Sequence, residues 1–439
     1  MGLPRYVSVK SLPGKIRLCS PQEAAALVRS GDKIAISANA NTPRVFLAAL
    51  CARAEQLEHV EIMHMRLVGA FPKATPDLAQ HIRFNPLLVP EALRAGVAAG
   101  YVDYTPAHFH QISGLFVEGP RQLDVAVVSV APPTADGTCS YGTYVGFMEQ
   151  ARQAARTVIA EVNGRMPQTS GPARFPLACA HAVIETDYPL PENPRPVITH
   201  VERQLGANVA GLIRDGDCLQ VGGGAVPAAV AECLMDRQDL GIHTELCTDW
   251  MVDLIERGCI NGARKNIDTG KVVTSFCRGT QRLYDFIDGN SLVEFHPIEY
   301  TNDPYRIGVL ENIVAINAAV QVDLAGQVNS ESLGTRQMSG TGGLVDFVRG
   351  AARSRGGRSI IALPSTALGG KVSRIVPVFE PGTAVSVLRA EVHWVVTEYG
   401  ARNLRGMTIR ERANALIEIA HPSFREALMR AARERHLLA

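Results

Sequence analysis

Short apolar runs alternate with amphipathic segments along the chain. The runs VVTSF, from Val272, and SIIALP, from Ser359, have the length and the β-branched content of buried strands. The segment PAAVAECLMD, from Pro227, has the spacing of a helix with one apolar face. Alternation of such strands and helices is typical of layered α/β structures, so we predict an α/β fold.

One pattern of turns, strands and helices occurs twice. The segments LVRSGDKIAISANANTPRVFLAAL, from Leu27, and LIRDGDCLQVGGGAVPAAVAECL, from Leu212, each contain a helix end, a Gly-Asp turn, a short strand, a loop of small residues and a proline that opens a helix. A second pair, DVAVVSVAPPTADGTCS from Asp124 and INAAVQVDLAGQVNS from Ile316, lies at a similar spacing. Two matched pairs at similar spacing indicate a duplication.

A proline-rich run separates the two copies. Its sequence, DYPLPENPRP at 187–196, suits an extended linker better than a helix. The chain has 439 residues, which exceeds the size at which one hydrophobic core keeps growing. We therefore predict two similar open α/β domains related by duplication, at 1–190 and 197–439.

The composition limits the class of partner. The 44 basic residues balance 43 acidic ones, without the basic excess of a nucleic-acid-binding protein, so small molecules are the expected partners. The nine cysteines form no C-x-x-C pair, which argues against a disulfide framework or a cysteine zinc site. The N-terminal segment MGLPRYVSVKSLPGK lacks the apolar core of a signal peptide, and polar residues interrupt the most apolar stretch, 309–324. We expect a cytoplasmic protein without a membrane span.

A first glycine-rich loop follows a predicted strand and precedes a helix. Gly222, Gly223 and Gly224 come after Gln220, and the missing Cβ atoms allow backbone N–H groups to approach an anion at the helix start. Pro227 stands where a dinucleotide-binding fingerprint has a third small residue, so that fingerprint is not met. A tight turn between strand and helix explains this loop equally well.

A second glycine-rich loop leads into a helix predicted at 345–353. This loop consists of Ser339, Gly340, Thr341, Gly342 and Gly343. Its consecutive glycines suit a nest of N–H donors for a phosphate or for an oxygen that gains negative charge. The alternative is a flexible surface loop. No Gly-Lys-Ser/Thr follows, which excludes a P-loop.

One acidic residue stands directly ahead of a helix. Thr248 is a suitable N-cap and Asp249 a favourable first-turn acid for a helix that stops at Gly258, which leaves Glu245 in the preceding loop. Such loops hold the sites of open α/β sheets. Read alone, however, Glu245 fits a solvated or capping role. His243 has no second ligand at metal-binding spacing, so we predict no metal site.

Several ordered motifs together identify a family. They are HPIEYTNDP from His296, AGQVNSES from Ala325, SGTGGLVDFVRGA from Ser339, ALPSTALGGKVSRIVP from Ala362, and VVTEYGARNLRG from Val395. With these motifs the chain resembles the acetyl-CoA hydrolase/transferase family over nearly its whole length, in particular the branch of 4-hydroxybutyrate and butyryl-CoA transferases. The family's G-x-HTE motif reads GIHTE here, so the resemblance implies that Glu245 is the nucleophile. Ala228 stands where the family often has an acid, which leaves the acyl preference open.

The resemblance implies a class I CoA-transferase fold and a reaction. CoA would pass from a butyryl-, 4-hydroxybutyryl-, acetyl- or itaconyl-type thioester to a free carboxylate by ping-pong steps through a glutamyl-CoA thioester. Coenzyme A is then a substrate, and no permanently bound cofactor or metal is expected. A glutamate with an ordinary pKa of about 4.3 is already ionised at neutral pH. The family also implies a homodimer or a homotetramer.

Further site residues follow from the resemblance as candidates. The loop Ser339 to Gly343 corresponds to the family's CoA loop. The oxyanion donors would be the N–H groups of Gly342, Gly343 and either Gly223 or Gly224. Gln220 would orient the carboxylate or simply bond to neighbouring backbone. The candidates for the CoA phosphates, each with a surface-charge alternative, are Arg349, Lys371 and Arg374. The candidates for the acyl pocket are Asn39, Asn41, His64, Met65 and Arg66, where an arginine would pair with a second carboxylate.

Three alternatives stay open at the level of the sequence. An acyl-CoA hydrolase of the same family would use the same glutamate with water as acceptor. Glu398, in the segment TEY, is a rival nucleophile or a structural acid. A non-catalytic nucleotide-binding protein built on the two glycine loops would need no acid at Glu245.

Overall fold

The structure is a computed structural model that describes residues 6–12 and 16–438. Residues 1–5, 13–15 and 439, which belong to the predicted domains and to the N-terminal segment considered above, lie outside the described residues. The chain divides into two compact units. Unit 1 consists of Met1–Pro194, Cys247–Asp249 and Val273–Thr301, and unit 2 consists of Arg195–Leu246, Trp250–Val272 and Asn302–Ala439. The first segment of unit 1 ends at Pro194, within the linker predicted at 187–196. Two shorter segments later in the chain also belong to unit 1.

The strands range from two to seven residues. In chain order they are β1 Lys33–Ile36, β2 Val60–His64, β3 Ile82–Pro86, β4 Val125–Val130, β5 Thr138–Cys139, β6 Thr157–Asn163, β7 Phe175–Pro176, β8 Ala182–Thr186, β9 Cys218–Val221, β10 Gly241–His243, β11 Leu246–Cys247, β12 Val272–Thr274, β13 Phe276–Cys277, β14 Val293–Phe295, β15 Ile313–Ala318, β16 Gln321–Asp323, β17 Val328–Asn329, β18 Ser332–Leu333, β19 Arg336–Gln337, β20 Arg358–Ala362, β21 Thr366–Ala367, β22 Val372–Ser373, β23 Ile375–Val376, β24 Trp394–Thr397 and β25 Gly400–Asn403.

The α-helices lie between these strands and at the C-terminus. In chain order they are α1 Pro21–Ala25, α2 Arg44–Ala52, α3 Arg94–Ala99, α4 Ile112–Val117, α5 Met148–Ala154, α6 His200–Ala210, α7 Ala225–Glu232, α8 Asp249–Glu256, α9 Gln281–Ile287, α10 Ile298–Thr301, α11 Pro304–Val309, α12 Leu344–Arg353, α13 Ile409–Glu418 and α14 Pro422–Glu434.

Unit 1 contains a parallel sheet with the strand order β3-β2-β1-β4-β6-β8. Ile34 of β1 lies opposite Ile62 of β2 on one side and opposite Val125 of β4 on the other. Strands β4 and β6 are buried along their whole length, as expected for the centre of a parallel sheet that is covered on both faces. One apolar cluster of this unit packs α1 and α2 against the sheet.

Unit 2 contains six neighbouring strands of a second, eight-stranded sheet, in the order β10-β9-β15-β20-β24-β25. All of these neighbours are parallel except β25, which runs antiparallel to β24 at the edge. Leu219 of β9 lies opposite Val314 of β15. The apolar cluster on this sheet includes Val345 and Val348 of α12 and Leu416 of α13, so the C-terminal helices complete the core of unit 2.

The two sheets confirm the α/β fold and the internal repeat. The order β2-β1-β4-β6-β8 in unit 1 corresponds to β10-β9-β15-β20-β24 in unit 2. The Gly-Asp turns before β1 and β9 are also alike, since Gly31 and Gly216 have φ values of 83° and 82°. Asp32 and Asp217 each accept the backbone N–H three residues earlier, at 2.8 and 2.7 Å. The same local sequence therefore forms the same turn in both copies.

The helix boundaries are close to those expected from the sequence. Helix α12 begins one residue before the predicted start, and α8 begins at Asp249 with Thr248 directly before it. Helix α7 begins at Ala225, so that Pro227 is its third residue and not its first. A proline is tolerated there because the N–H groups of the first turn have no partner within the helix. Within residues 6–12 and 16–438, no helix is long and apolar enough to cross a membrane.

Candidate active site

The loop that carries Glu245 begins at the carboxyl end of β10 in unit 2. Thr244 fixes the start of this loop, because its hydroxyl donates to the carbonyl of Val221 at 3.2 Å and lies 3.4 Å from the nitrogen of the same residue. This contact ties the end of β10 to the end of β9. Glu245 follows directly and therefore lies at the carboxyl edge of the unit 2 sheet, where parallel α/β sheets carry their sites.

A buried asparagine holds the carboxylate of Glu245. The Nδ2 atom of Asn302 lies 2.8 Å from Oε2 of Glu245 and 3.3 Å from Oδ2 of Asp346. An amide nitrogen carries two hydrogens, so it can donate one to each carboxylate. Both Asn302 and Asp346 are fully buried. Asn302 lies just before α11 and Asp346 in the first turn of α12, so the packing of these two helices positions the cluster.

Gly343 stands beside the same carboxylate, at the start of α12. A Cβ atom at this position would overlap Oε2 of Glu245 and Nδ2 of Asn302, so only glycine leaves room for both groups. The preceding residue, Gly342, has a φ of 60°, in the left-handed region that favours glycine. The second glycine-rich loop therefore brings the positive end of α12 to Glu245.

The protein environment changes the acidity of Glu245. Burial of the carboxylate raises its pKa; with the opposing hydrogen bond from Asn302 and the added negative charge of Asp346, the resulting pKa is about 7. The structure thus differs from the expectation of an ordinary pKa. At neutral pH the Glu245 side chain is present in both its protonated and its ionised form. The ionised form is more basic than the carboxylate of a solvated glutamate.

The remaining residues of the second glycine-rich loop are held by Glu331. The backbone N–H of Ser339 donates to the carbonyl of Glu331 at 3.0 Å. The hydroxyl of Thr341 lies 3.4 Å from its carboxylate. Gly340 is buried between these two anchor points. The loop is therefore tied to the strand region before it, and its glycine end is directed to Glu245.

The first glycine-rich loop has a different environment. Gln220 exchanges hydrogen bonds with the amide of Asn317, at 3.3 and 2.9 Å, and this pair joins the ends of β9 and β15. Gly223 and Gly224 are exposed, and added Cβ atoms at Gly222 and Gly224 would meet open space. The structure places Gln220 in a bridge between strands, while Gly223 and Gly224 beside it are exposed to solvent.

The three residues predicted for the CoA phosphates have different environments. Arg349 forms an ion pair with Glu391 at 2.7 Å, and Lys371 is exposed. Arg374 is half-buried, donates to backbone carbonyls, and lines a cavity of about 690 Å³ together with Glu398. Of the three, Arg374 alone lines this cavity of unit 2.

Glu398, the rival nucleophile, is separated from Glu245 within the same sheet. It follows β24, and three strands lie between β24 and β10, which corresponds to about 19 Å at the usual spacing of strands. Its carboxylate accepts the backbone N–H of Ser365 at 2.8 Å and the hydroxyl at 2.5 Å. These contacts give Glu398 a role in joining the loops after β20 and β24.

The residues predicted for the acyl pocket lie together in unit 1, at the carboxyl ends of β1 and β2 and in the loops that follow. The N–H of Asn39 donates to the carbonyl of Arg66 at 2.6 Å and links the two loops. The side chain of Asn41 is buried and donates to two backbone carbonyls at 3.1 and 2.5 Å. Nδ1 of His64 lies 2.6 Å from the carbonyl of Met65, and burial lowers the pKa of this imidazole to about 4, so the ring is neutral at pH 7. Asn41 and His64 thus support the loops.

Two residues of the site were not predicted from the sequence. Asn302 lies within the motif HPIEYTNDP and Asp346 within SGTGGLVDFVRGA, which were used above only to identify the family. A local sequence feature that draws attention to Asn302 is its position directly before Asp303 and Pro304, which begin helix α11. In the described part of the chain, no group of three or more His, Cys, Asp or Glu side chains is placed to hold a metal ion.

Comparison with known proteins gives a consistent picture. Residues 13–202 match the acetyl-CoA hydrolase/transferase N-terminal domain and residues 279–432 the corresponding C-terminal domain. The chain is 42% identical over 415 residues to 4-hydroxybutyrate coenzyme A transferase of Clostridium kluyveri, covering 94% of this chain and 97% of the relative. It is 42% identical over 419 residues to succinyl-CoA:cyclohexane-1-carboxylate CoA transferase of Geobacter metallireducens, with 95% of each chain covered.

Solved structures show the same fold. The crystal structure of RipA from Yersinia pestis is 36% identical, with a TM-score of 0.91 over 96% of this chain and 98% of that one. The fold and both domain matches therefore agree. The chain belongs to the acetyl-CoA hydrolase/transferase family and is a CoA transferase.

Proposed function

We propose that the protein moves CoA between an acyl-CoA and a free carboxylate through a covalent thioester on Glu245. The observation that carries this proposal is the cluster at Glu245, in which one carboxylate oxygen accepts a hydrogen bond from Asn302 beside the glycine that begins α12. A carboxylate held at a helix start by a neutral amide donor is suited to nucleophilic catalysis.

In the first half-reaction, the Glu245 carboxylate attacks the thioester carbonyl of the donor acyl-CoA. CoA thiolate leaves, and a mixed anhydride joins the acyl group to the glutamate. The thiolate then attacks the glutamyl carbonyl, which releases the donor acid as a carboxylate and leaves Glu245 as its CoA thioester. An incoming carboxylate reverses these two steps and regenerates the free carboxylate of Glu245. The proposal therefore predicts ping-pong kinetics.

The surroundings of Glu245 fit the charge changes along this path. Each attack creates a tetrahedral oxyanion, and attack on the glutamyl carbonyl places that charge on a glutamate oxygen. Asn302 already donates to Oε2, so it is the first candidate to stabilise this charge. The N–H groups of Gly342 and Gly343 at the start of α12 are further candidates. The raised pKa makes the ionised carboxylate a stronger nucleophile than a solvated one.

The substrates follow from chemistry and from the relatives. One thioester is exchanged for another, so the reaction needs neither a nucleotide triphosphate nor a permanently bound cofactor. The names of the two relatives above give 4-hydroxybutyrate for one, and succinyl-CoA with cyclohexane-1-carboxylate for the other. We propose that the acyl group here is a short carboxylic acid of the butyryl, 4-hydroxybutyryl, acetyl or itaconyl type. We also propose that the protein is cytoplasmic and that it forms a homodimer or a homotetramer. Light scattering tests the oligomeric state.

The experiment is intact-mass measurement after incubation with butyryl-CoA. Wild-type protein is expected to gain the mass of CoA less one water, and Glu245→Gln is expected to gain nothing. Glu398→Gln is the matched control, because Glu398 lies across the same sheet, and it is expected to form the adduct. An adduct of acyl mass alone, or an adduct on Glu245→Gln, would contradict the mechanism.

The same assay separates the transferase from its alternatives. Addition of acetate to the protein-bound glutamyl-CoA is expected to yield acetyl-CoA and to discharge the adduct. Release of free CoA at the full rate without any added carboxylate would identify a hydrolase instead. Absence of an adduct on wild type, with acyl-CoA bound unchanged, would favour a non-catalytic nucleotide-binding protein.

A further inference from the structure

Two side-chain amides lie on the face of the unit 2 sheet that α12 covers. Cys218 of β9 and Ala315 of β15 pack in one apolar cluster with Phe347 of α12. Because alternate residues of a strand share a face, Gln220 and Asn317, two residues further along the same strands, lie on this face as well. Their amides exchange hydrogen bonds. The apolar layer is therefore followed, toward the carboxyl edge of the sheet, by a polar one.

The pair formed by Gln220 and Asn317, here called the amide pair, lies beneath the start of α12. The N–H of Phe347 donates to the carbonyl of Gly343 at 3.1 Å, so Gly343 lies one helical turn, about 5.4 Å, nearer the helix start. Two residues along a strand correspond to about 6.6 Å. Since Gly343 stands beside the Glu245 carboxylate at the carboxyl edge, both steps lead in the same direction. The amide pair therefore lies in the layer of unit 2 that contains this carboxylate.

The amide pair retains unused hydrogen-bonding groups. A side-chain amide has two N–H donors and an oxygen with two lone pairs. The exchange uses one donor and one lone pair of each residue, and among the described residues neither side chain forms another hydrogen bond. Gln220 is only 1% exposed, so leaving its second donor without a partner costs free energy. Asn317 is half-buried, so a ligand can reach the pair from the carboxyl edge.

The unused groups of the amide pair suit a neutral ligand. A carboxylate or a phosphate diester offers only acceptors and would leave the free lone pairs of the two oxygens unmatched. A secondary amide offers one N–H and one carbonyl oxygen on separate atoms. Its N–H can donate to the oxygen of one side chain while its carbonyl accepts from the nitrogen of the other, which extends the exchange that Gln220 and Asn317 already make. The pair is therefore complementary to an amide.

The proposed reaction brings such an amide to this place. In CoA, two carbon atoms separate the reacting sulfur from the first amide of the pantetheine arm. Strand β9 is the neighbour of β10, which leads to Glu245, and β15 is one strand further. Gln220 and Asn317 thus lie about 5 to 10 Å from β10, at one and two strand spacings. When the thioester carbonyl is at Glu245, the first amide of the arm reaches over this distance.

We propose that Gln220 and Asn317 bind the first amide of the pantetheine arm and so hold the thioester at Glu245. This inference rests on the proposed function and adds the residues that recognise the part of CoA nearest the reacting sulfur. A second source of a neutral donor and acceptor is the terminal hydroxyl of an acyl group such as 4-hydroxybutyryl. The pantetheine amide is present in every acyl-CoA, whereas the hydroxyl is present only in some.

The test compares the binding of CoA with that of 3′-phospho-ADP, which lacks the pantetheine arm, by isothermal titration calorimetry. Free CoA carries no acyl group, so its binding is measured without reaction. Gln220→Leu and Asn317→Leu are each expected to raise the Kd for CoA by about 3- to 10-fold, the usual effect of losing a neutral hydrogen bond. The Kd for 3′-phospho-ADP is expected to change by less than about 2-fold, because this ligand has no amide for the pair to bind.

Two control variants separate ligand binding from a purely structural effect. The double variant Gln220→Asn with Asn317→Gln keeps one amide on each strand and is expected to bind CoA within about 3-fold of wild type. Asn208→Leu removes a half-buried amide of α6 that donates to the carbonyl of Thr397 at 2.9 Å, and it is expected to leave both Kd values unchanged. Formation of the glutamyl-CoA adduct from butyryl-CoA, measured in every variant, shows that the site is folded.

Three results would overturn the inference. An equal rise in Kd for CoA and 3′-phospho-ADP would give the amide pair a structural role, and unchanged values for both would remove it from CoA binding. A rise in KM for 4-hydroxybutyryl-CoA but not for butyryl-CoA, with CoA binding unchanged, would assign the pair to the acyl hydroxyl. In each case an intact adduct would leave the proposed mechanism standing. Absence of the adduct from wild-type protein would instead reject the proposed function.

Discussion

Replacing Glu245 by glutamine should change how the stability of the protein depends on pH. The carboxylate titrates near pH 7 in the folded protein and near its ordinary value in the unfolded chain. Because the folded state binds this proton more tightly, the group destabilises the fold when it is ionised. The stability that the protonated carboxyl group contributes is therefore fully present below about pH 4.5 and is lost as the pH rises through about 7. Glutamine keeps the oxygen that accepts from Asn302 and has no charge to bury.

The size of the effect follows from the shift in pKa. A rise of about 2.5 units corresponds to about 3.4 kcal/mol, since one unit is about 1.36 kcal/mol. About 2.5 kcal/mol of this falls between pH 5 and pH 8, given the two titration midpoints. Residual access of water to Glu245 makes this figure an upper estimate.

The assay is urea unfolding of wild type and Glu245→Gln at pH 5 and pH 8. The variant is expected to gain about 2 to 3 kcal/mol over wild type on going from pH 5 to pH 8. Glu434→Gln, which removes an exposed carboxylate at the end of α14, serves as the control and should follow wild type at both pH values. If Glu245→Gln and wild type keep a constant difference across this range, the argument that burial raises the pKa of Glu245 is refuted.

Two further variants test the same cluster, and a third tests the rival nucleophile. Gly343→Ala is expected to abolish adduct formation with butyryl-CoA, because the new Cβ overlaps the Glu245 carboxylate and the Asn302 amide; an unimpaired adduct by mass measurement would contradict this geometry. Asn302→Ala is expected to lower kcat/KM by about 100- to 1000-fold through loss of an oxyanion donor. The same variant should move the acidic limb of the pH–rate profile upward, since the lost hydrogen bond normally lowers the pKa of Glu245; a downward move would argue against it. Glu398→Gln is expected to keep kcat within about 10-fold of wild type, and loss of turnover with normal folding would return Glu398 to the list of candidate nucleophiles.

The sequence alone determined the layered fold and its duplication. Local patterns carry this information: the Gly-Asp turns at Gly31 and Gly216 impose the same left-handed geometry, and the periods of strands and helices differ enough to be read directly. The motif around Glu245 indicated a candidate nucleophile for the same reason, because its residues are contiguous. The start of α12 was predicted to within one residue.

Only the tertiary structure decided what surrounds Glu245. Asn302 is 57 residues from Glu245, and Asp346 is 44 residues further along, so their contacts depend on strand order and on how α11 packs against α12. Strand order likewise separates Glu398 from Glu245 by three intervening strands. The pKa of Glu245 depends on the burial that this packing creates. Distances between residues far apart in the chain are set by the fold as a whole, and the chemistry of the site depends on those distances.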